Sequence, residues 1–315
     1  MRPMTPATAE LAQAVCERLG PGYAAAPAVE TCLSDSPDGR RVTELRFRAR
    51  DRRGQDIRII AKQFANDTGA ATYAAMKALE AAEAARREAS PLALPRALFY
   101  APEVRALGLE PAPGRSYREL ARDDARFTEH LRLAGAALAA LHALDVPTLR
   151  IATVEDHIAD LMRPSPGALA AAMPRHAESV AAIVAGLHAG ERRLLDRAPV
   201  APVPVHRDFH LGQLFRAGGR VALIDWDLVA LGDPALDLGN FAVYLRTRVP
   251  HAAARGWQAF VAGYTERAGT AALERVALYE ALTYLRLTCK RLRLRPEGFE
   301  RDIARMLRLA QERLA

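Results

Sequence analysis

The stretch VPVHRDFHLGQLF, residues 203–215, sets two histidines, an arginine, an aspartate and a glutamine in an otherwise apolar frame. A core strand has no use for so many polar groups, because each one buried without a partner costs roughly 1–3 kcal/mol. Gln213 follows Asp208 by five positions, and Asp225 follows Gln213 by twelve, at the end of the apolar run VALI. A strand, a loop and a hairpin can deliver one carboxylate, one carboxamide and a second carboxylate to a single spot. Phosphoryl transfer needs such a set. Magnesium prefers six oxygens and takes one or two carboxylates plus substrate phosphates, while an acceptor hydroxyl needs an aspartate to orient it and take its proton. A second chemistry shares the stretch: His206, Asp208 and His210 alternate, so on a continuous strand they would project from one face and could grip zinc in a hydrolase. That reading uses neither Gln213 nor Asp225.

The surrounding pattern supplies the scaffold. Residues 5–19 read as a short amphipathic helix with Leu11, Val15 and Leu19 on one stripe. From about 27 to 66 the pattern is that of strands. VTELRFRARD alternates, with Leu45 and Phe47 facing one way and Arg46 and Arg48 the other, between the turn-rich segments SDSPDGR and DRRGQD. IRIIAKQF follows as a third strand and carries Lys62, one of three lysines beside Lys77 and Lys290 in an arginine-rich chain. A helix begins near Asp67 or Thr68, two more strand-like runs (RALFYA and VRALGLE) follow, and PAPGR punctuates 111–114. Beyond it helices dominate, opening at a capping-box spacing from Ser116 to Glu119, with strand character only at 203–206 and 220–227. The expected organisation is α+β: a small antiparallel-sheet N-terminal lobe over 1–110 and a larger, mainly helical C-terminal lobe over 111–315, with a hinge about 109–114.

The formal net charge of +7 is spread along the 315 residues without aromatic interleaving or a nucleic-acid motif, so no nucleic-acid partner is expected. Cys16, Cys32 and Cys289 are far apart and odd in number, which builds neither a disulfide framework nor a zinc site. The start shows no signal-peptide pattern and no run approaches the roughly 18 apolar residues of a spanning helix, so a cytoplasmic protein without a membrane partner is expected, as a monomer or homodimer.

VHRDFHLGQLF, ALIDWD and GDPALDLGNF together resemble the motif region of the aminoglycoside phosphotransferase and choline kinase superfamily, small-molecule kinases with the two-lobed protein-kinase fold. The resemblance is specific over about 203–241. It implies ATP (or GTP) and Mg2+, with Asp208 as catalytic base, Gln213 at the family's metal-binding asparagine position and Asp225 as principal magnesium ligand. His206 and Asp237 would support the catalytic loop, and His210, where protein kinases carry a lysine, would contact the transferred phosphate. Lys62 matches the strand lysine that grips the nucleotide phosphates, and Glu80, on the stripe of Tyr73 and Met76, is the candidate helix glutamate to pair with it. Glu80 also stands three residues from Lys77, a competing surface pair. Two departures stand out: Arg207 occupies a position where the family commonly has glycine, and no glycine-rich phosphate loop is present.

Simpler roles compete at several positions. Asp208 could be a turn acid or the ion-pair partner of Arg207, Asp225 a hairpin-turn acid, Asp227 a second turn acid and Lys62 a solvated strand lysine. His142 reads as a satisfied histidine at a helix end, and Asp233 before Pro234 as a helix cap. No protein-docking segment follows IDWD, so the acceptor is expected to be a small-molecule hydroxyl: a sugar, an antibiotic or another metabolite. Residues 246–295 carry ten basic side chains against Glu266, Glu274 and Glu280, which favours a neutral or anionic acceptor over a polycation. A catalytically weak or inactive nucleotide-binding regulator of the same fold is the alternative.

Overall fold

The computed structural model describes residues 6–24, 29–36, 39–50, 54–86, 89–123, 125–197 and 201–315. Of the two predicted turns in the first sheet, Pro37 and Asp38 of one and Asp51, Arg52 and Arg53 of the other lie outside the described residues. The chain divides into two compact units. The first comprises Met1–Glu88, Ala93–Gly114 and Ala222–Asp227; the second comprises Ala89–Leu92, Arg115–Val221 and Leu228–Ala315.

In the first unit, α1 (Pro6–Leu19) precedes β1 (Val29–Asp35), β2 (Arg41–Phe47) and β3 (Ile57–Gln63), then α2 (Thr68–Ala84), the short β4 (Leu92–Ala93), β5 (Ala97–Ala101) and β6 (Ala106–Leu109). Five strands form one sheet in the order β1-β2-β3-β6-β5, and every neighbouring pair is antiparallel. The period-two pattern of β2 works as read: Leu45 and Phe47 are fully buried and Arg46 is exposed. They pack with Ile59, Ala61 and Ala106 against Leu11 and Val15 of α1. Each such large apolar side chain contributes about 1.5–3 kcal/mol. The start of α2 differs from expectation. Asp67 sits at the N-cap position without capping, while Asn66 Oδ1 accepts from Thr68 N at 3.3 Å and Thr68 Oγ1 at 2.7 Å.

The second unit opens with β7 (Arg115–Ser116), α3 (Tyr117–Asp123), α4 (Phe127–His142), α5 (Val154–Leu161), α6 (Pro166–Ala172) and α7 (Ala177–Arg197). A strand-rich excursion follows: β8 (Val203–Val205), β9 (Leu214–Ala217), β10 (Arg220–Leu223), whose last two residues group with the first unit, and β11 (Ala230–Gly232). The chain ends in α8 (Ala235–Arg248), α9 (Ala253–Ala268), α10 (Val276–Leu294) and α11 (Phe299–Leu314). At Ser116, Oγ accepts from Arg118 N rather than completing a capping box; a full box forms instead at Thr153 and Asp156, opening α5. Where α4 crosses α9, a Cβ on Gly135 would lie 1.9 Å from Phe260 O and one on Gly263 1.9 Å from Arg132 O, so both helices need glycine there. β8 pairs antiparallel with β11, Val205 opposite Ala230, and Leu231 exchanges backbone bonds with Arg150 and Ala152 just before α5. That ribbon positions residues 206–213. Among the described residues no helix is long and apolar enough to cross a membrane.

Candidate active site

β8 ends at Val205, and the chain then turns through Arg207 with a left-handed φ of 67°. His206, Asp208 and His210 therefore do not share one strand face, which removes the premise of the zinc reading. Among the described residues no group of three or more His, Cys, Asp or Glu is placed to hold a metal. Left-handed backbone costs a non-glycine residue roughly 1–2 kcal/mol, so glycine is the natural occupant of such a position. Arg207 is held there by its buried guanidinium. Nε donates to His157 Nδ1 at 3.0 Å, Nη1 to Leu228 O at 3.2 Å and Nη2 to Asp156 O at 3.2 Å, with Asp160 Oδ2 2.9 Å from Nη2. Arg207 thus pairs with Asp160, not with Asp208.

The loop is also held from α8. Asp237, fully buried, accepts His206 N at 2.7 Å and Arg207 N at 2.8 Å, and His142 Nε2 lies 3.3 Å from the same carboxylate. Burial alone would raise its pKa, but hydrogen bonds and charge from His142 and His206 hold it below the ordinary carboxylate value. His142 Nδ1 bonds Tyr264 Oη at 3.0 Å, so the predicted helix-end histidine bridges α9 to the loop's anchor. Asn240 Nδ2 donates to Phe209 O at 2.9 Å, a support the sequence reading missed. Asp233 accepts Ala235 N at 2.9 Å, as its position before Pro234 suggested, and also pairs with Arg275.

Asp208 is half-buried. Arg286 Nη2 of α10 stands 2.9 Å from its Oδ1 as an ion-pair partner, although no donor is aligned on that buried oxygen as a hydrogen bond. His206 Nδ1 accepts Asp208 N at 3.3 Å. His210 Nδ1 accepts Gly212 N at 2.9 Å, so its proton sits on Nε2, 3.7 Å from Asp208 Oδ2. Burial pushes the His210 pKa down to about 4, with Asp208 opposing and Arg286 and Arg118 adding. Gln213 closes the turn through its N–H to His210 O at 2.9 Å.

The first unit gathers a second cluster. Lys62 of β3 bonds Asp225 and lies 2.7 Å from Asp227 Oδ2. Burial alone would lower the Lys62 pKa, yet the two carboxylates carry it above the ordinary lysine value. Asp225 has a left-handed φ of 71°, a conformation aspartate tolerates, and such strain collects where function demands a side-chain direction. Both Asp227 oxygens are buried without an aligned hydrogen-bond donor, with Arg40 Nη1 3.7 Å away, and burial raises that acid's pKa. Two carboxylates with such spare oxygens fit a hard divalent ion, which usually takes one or two from protein. Lys62 is therefore not a solvated strand lysine. Glu80 lies elsewhere: its Oε2 pairs with Lys77, its Oε1 accepts Ala97 N at 2.6 Å, and its recorded contacts do not include Lys62. The structure thus gives Asp227 the place beside Lys62 that the spacing of α2 suggested for Glu80. The signal for Asp227 was present in IDWD, where burial of Trp226 and its Nε1 bond to Leu223 O fix the short turn between the two acids. Arg286 was likewise legible as one of two cations spaced by four on the apolar α10.

Solved structures share this fold at low identity. A choline/ethanolamine kinase family protein from Mesorhizobium loti superposes with a TM-score of 0.64 at 17% identity, covering 98% of this chain and 95% of that one. Amicoumacin kinase hAmiN, solved with AMP-PNP, Ca2+ and Ami, gives 0.65 at 14% identity, with 98% and 96% covered. A thermostable mutant of aminoglycoside phosphotransferase APH(4)-Ia gives 0.63 at 16% identity, with 96% and 97% covered. Among curated proteins no relative matches. The fold is therefore the kinase-like α+β fold, with a small antiparallel sheet and a larger, mainly helical part. At the level of sequence, the profile of the phosphotransferase enzyme family matches residues 37–279, a span that holds Lys62, the 206–213 loop, Asp225 and Asp237. This chain belongs to the phosphotransferase enzyme family.

Proposed function

We propose that this protein transfers the γ-phosphoryl group of ATP, or of GTP, to a hydroxyl of a small molecule, with Mg2+ as the divalent ion. The observation that carries the reading is the Lys62 ammonium held between Asp225 and Asp227. A metal-bound polyphosphate calls for that pairing of a cation with hard carboxylate oxygens. The AMP-PNP and Ca2+ bound by amicoumacin kinase, and the ADP and spectinomycin bound by spectinomycin phosphotransferase, support it from related folds.

In this reading Lys62 binds the nucleotide phosphates, and Asp225 and the Gln213 carboxamide oxygen are the metal ligands, with Asp227 beside them. The ion, when bound, would neutralise charge on the phosphate oxygens. Asp208 orients the acceptor hydroxyl and takes its proton. The acceptor oxygen bonds the γ-phosphorus as the bond from that phosphorus to its bridging oxygen breaks, and the electron pair leaves with the nucleoside diphosphate. His210 Nε2–H, next to Asp208, is the donor for the transferred phosphate. His206 and Asp237 hold the loop, and Glu80 buttresses α2 against β5.

Magnesium-dependent, acceptor-stimulated ATP consumption by the purified protein tests the reading. Replacing a positioned base costs about 10²–10⁴ in rate, so Asp208→Asn should lose that much turnover while still binding ATP. Undiminished turnover in Asp208→Asn would refute the assignment, and nucleotide binding without transfer to any acceptor would favour the regulatory alternative.

A further inference from the structure

Cations surround Asp208 within the second unit. Arg286 of α10 approaches its Oδ1 and donates Nη1 to Arg207 O at 3.1 Å. Lys290 follows Arg286 by four residues and so lies on the same face of α10. The charges that act on Lys290 most are one carboxylate, Asp208, and three guanidiniums, those of Arg286, Arg248 and Arg293; with burial they hold its pKa below the ordinary lysine value. From α3, Arg118 packs onto the loop where a Cβ on Gly212 would sit 2.5 Å from its Nη2. Tyr244 of α8 lies against His210 with ring centroids 4.5 Å apart, and the same cations, Arg286, Arg248 and Arg118, act on its hydroxyl. Glu280, the acid nearest along α10, is already committed to Arg246 and Arg313.

One carboxylate does not balance this positive charge, and the guanidinium nearest to it is not aligned on it as a donor. We propose that Arg286 and Lys290 form an oxyanion-recognition subsite beside Asp208, so that the acceptor is a hydroxylated compound bearing a carboxylate or a phosphate ester. The inference rests on the phosphotransferase reading and narrows its acceptor. A guanidinium offers a planar fork that pairs an oxyanion through two N–H donors, and the lysine one turn on adds a point charge. An anion engaged there sets its neighbouring hydroxyl toward the Asp208 carboxylate and draws Arg286 off the base. A polycationic acceptor meets like charge at the same place.

The test uses probes on one carbon skeleton: glycerate and glycerol phosphate as the two anions, glycerol as the neutral form and serinol as the amine. Binding is read by titration calorimetry without nucleotide, and transfer is read separately with magnesium and ATP. Either anion should bind about tenfold or more tightly than glycerol, and the better of the two identifies the oxyanion. Lys290→Gln should erase that preference while leaving glycerol binding alone, and Lys290→Arg should restore it. Arg286→Lys, which keeps the charge but not the fork, should lose most of the anion preference and serves where the glutamine variant does not fold. Equal responses to all four probes, including none, or a preference for serinol, would overturn the subsite. Anion binding that depends on Lys290, with no transfer to any acceptor, would keep the subsite and overturn the phosphotransferase reading instead.

Discussion

Asp237 accepts the backbone N–H of Arg207 at 2.8 Å from thirty residues further along the chain, and it takes the N–H of His206 with its other oxygen. Both loop amides before the proposed base therefore hang on one buried carboxylate. Asp237→Asn keeps the shape but turns one acceptor into a donor facing a donor. Losing a charged hydrogen bond costs about 1.5–3 kcal/mol, so the urea midpoint should fall accordingly and the proposed transfer should drop with it. An unchanged midpoint would mean the loop is held by other groups.

Arg207 allows two effects to be separated. Arg207→Gly and Arg207→Ala both forfeit the bonds to His157, Asp156 and Leu228 and the Asp160 pair, so both should be less stable than the parent. Only alanine retains the left-handed backbone cost, which leaves it about 1 kcal/mol below glycine. Equal stability of the two variants would show that φ at this position carries no strain.

Lys62→Met leaves Asp225 and Asp227 without the cation between them, and the raised pKa of Asp227 should rise further. Removing one preorganised donor from a developing charge costs about 10²–10³ in rate, so kcat/KM for ATP should fall by that order. Lys62→Arg, which keeps the charge with a bulkier head, should lose less. Steady-state kinetics with ATP as the varied substrate decide it; a loss confined to the acceptor's KM would remove Lys62 from the nucleotide's side.

Two histidines set an acid limit on stability. His157 accepts from Arg207 Nε and His210 from Gly212 N, so both are held neutral in the folded chain. Burial, with the Arg207 charge, pushes His157 down to about 3, and His210 is at about 4, against the ordinary 6.5. As pH falls below 6.5 the unfolded chain takes these protons first, so their contribution to stability is whole above 6.5 and drains away toward 4 and then 3. Denaturation midpoints across that range should fall, and His157→Gln, which can still accept from Arg207, should flatten the slope. Parallel curves for parent and variant would exclude His157 as a source of it.

Much of the molecule was legible because local periodicity and local chemistry speak for themselves. The alternation in β2, the helix interruptions near Pro250, Gly269 and Pro296, and the cap at Asp233 all appear where spacing predicted them. The caps at Asp67 and Ser116 did not form as read, because Asn66 and Arg118 N offered equally close alternatives within two residues. Local competition of that kind lies below the resolution of a sequence pattern. Glu80 fits its helical stripe, but a stripe fixes only a direction, and the carboxylate reached the nearer Ala97 amide.

What the sequence by itself determined was the set of reactive groups and their family: two acids, an amide, a lysine and a histidine-rich loop within the region that matches the phosphotransferases. The partners of those groups were decided by the tertiary structure. Arg207 meets His157 across 50 positions, Arg286 meets Arg207 O across 79, and Lys62 meets Asp225 across 163. Spacing along a strand or helix governs only groups a turn or two apart, whereas an ion pair forms with whichever charge the packed core brings within reach. Hence Asp208 faces Arg286 rather than its neighbour Arg207, and Lys62 lies between Asp225 and Asp227 rather than beside Glu80.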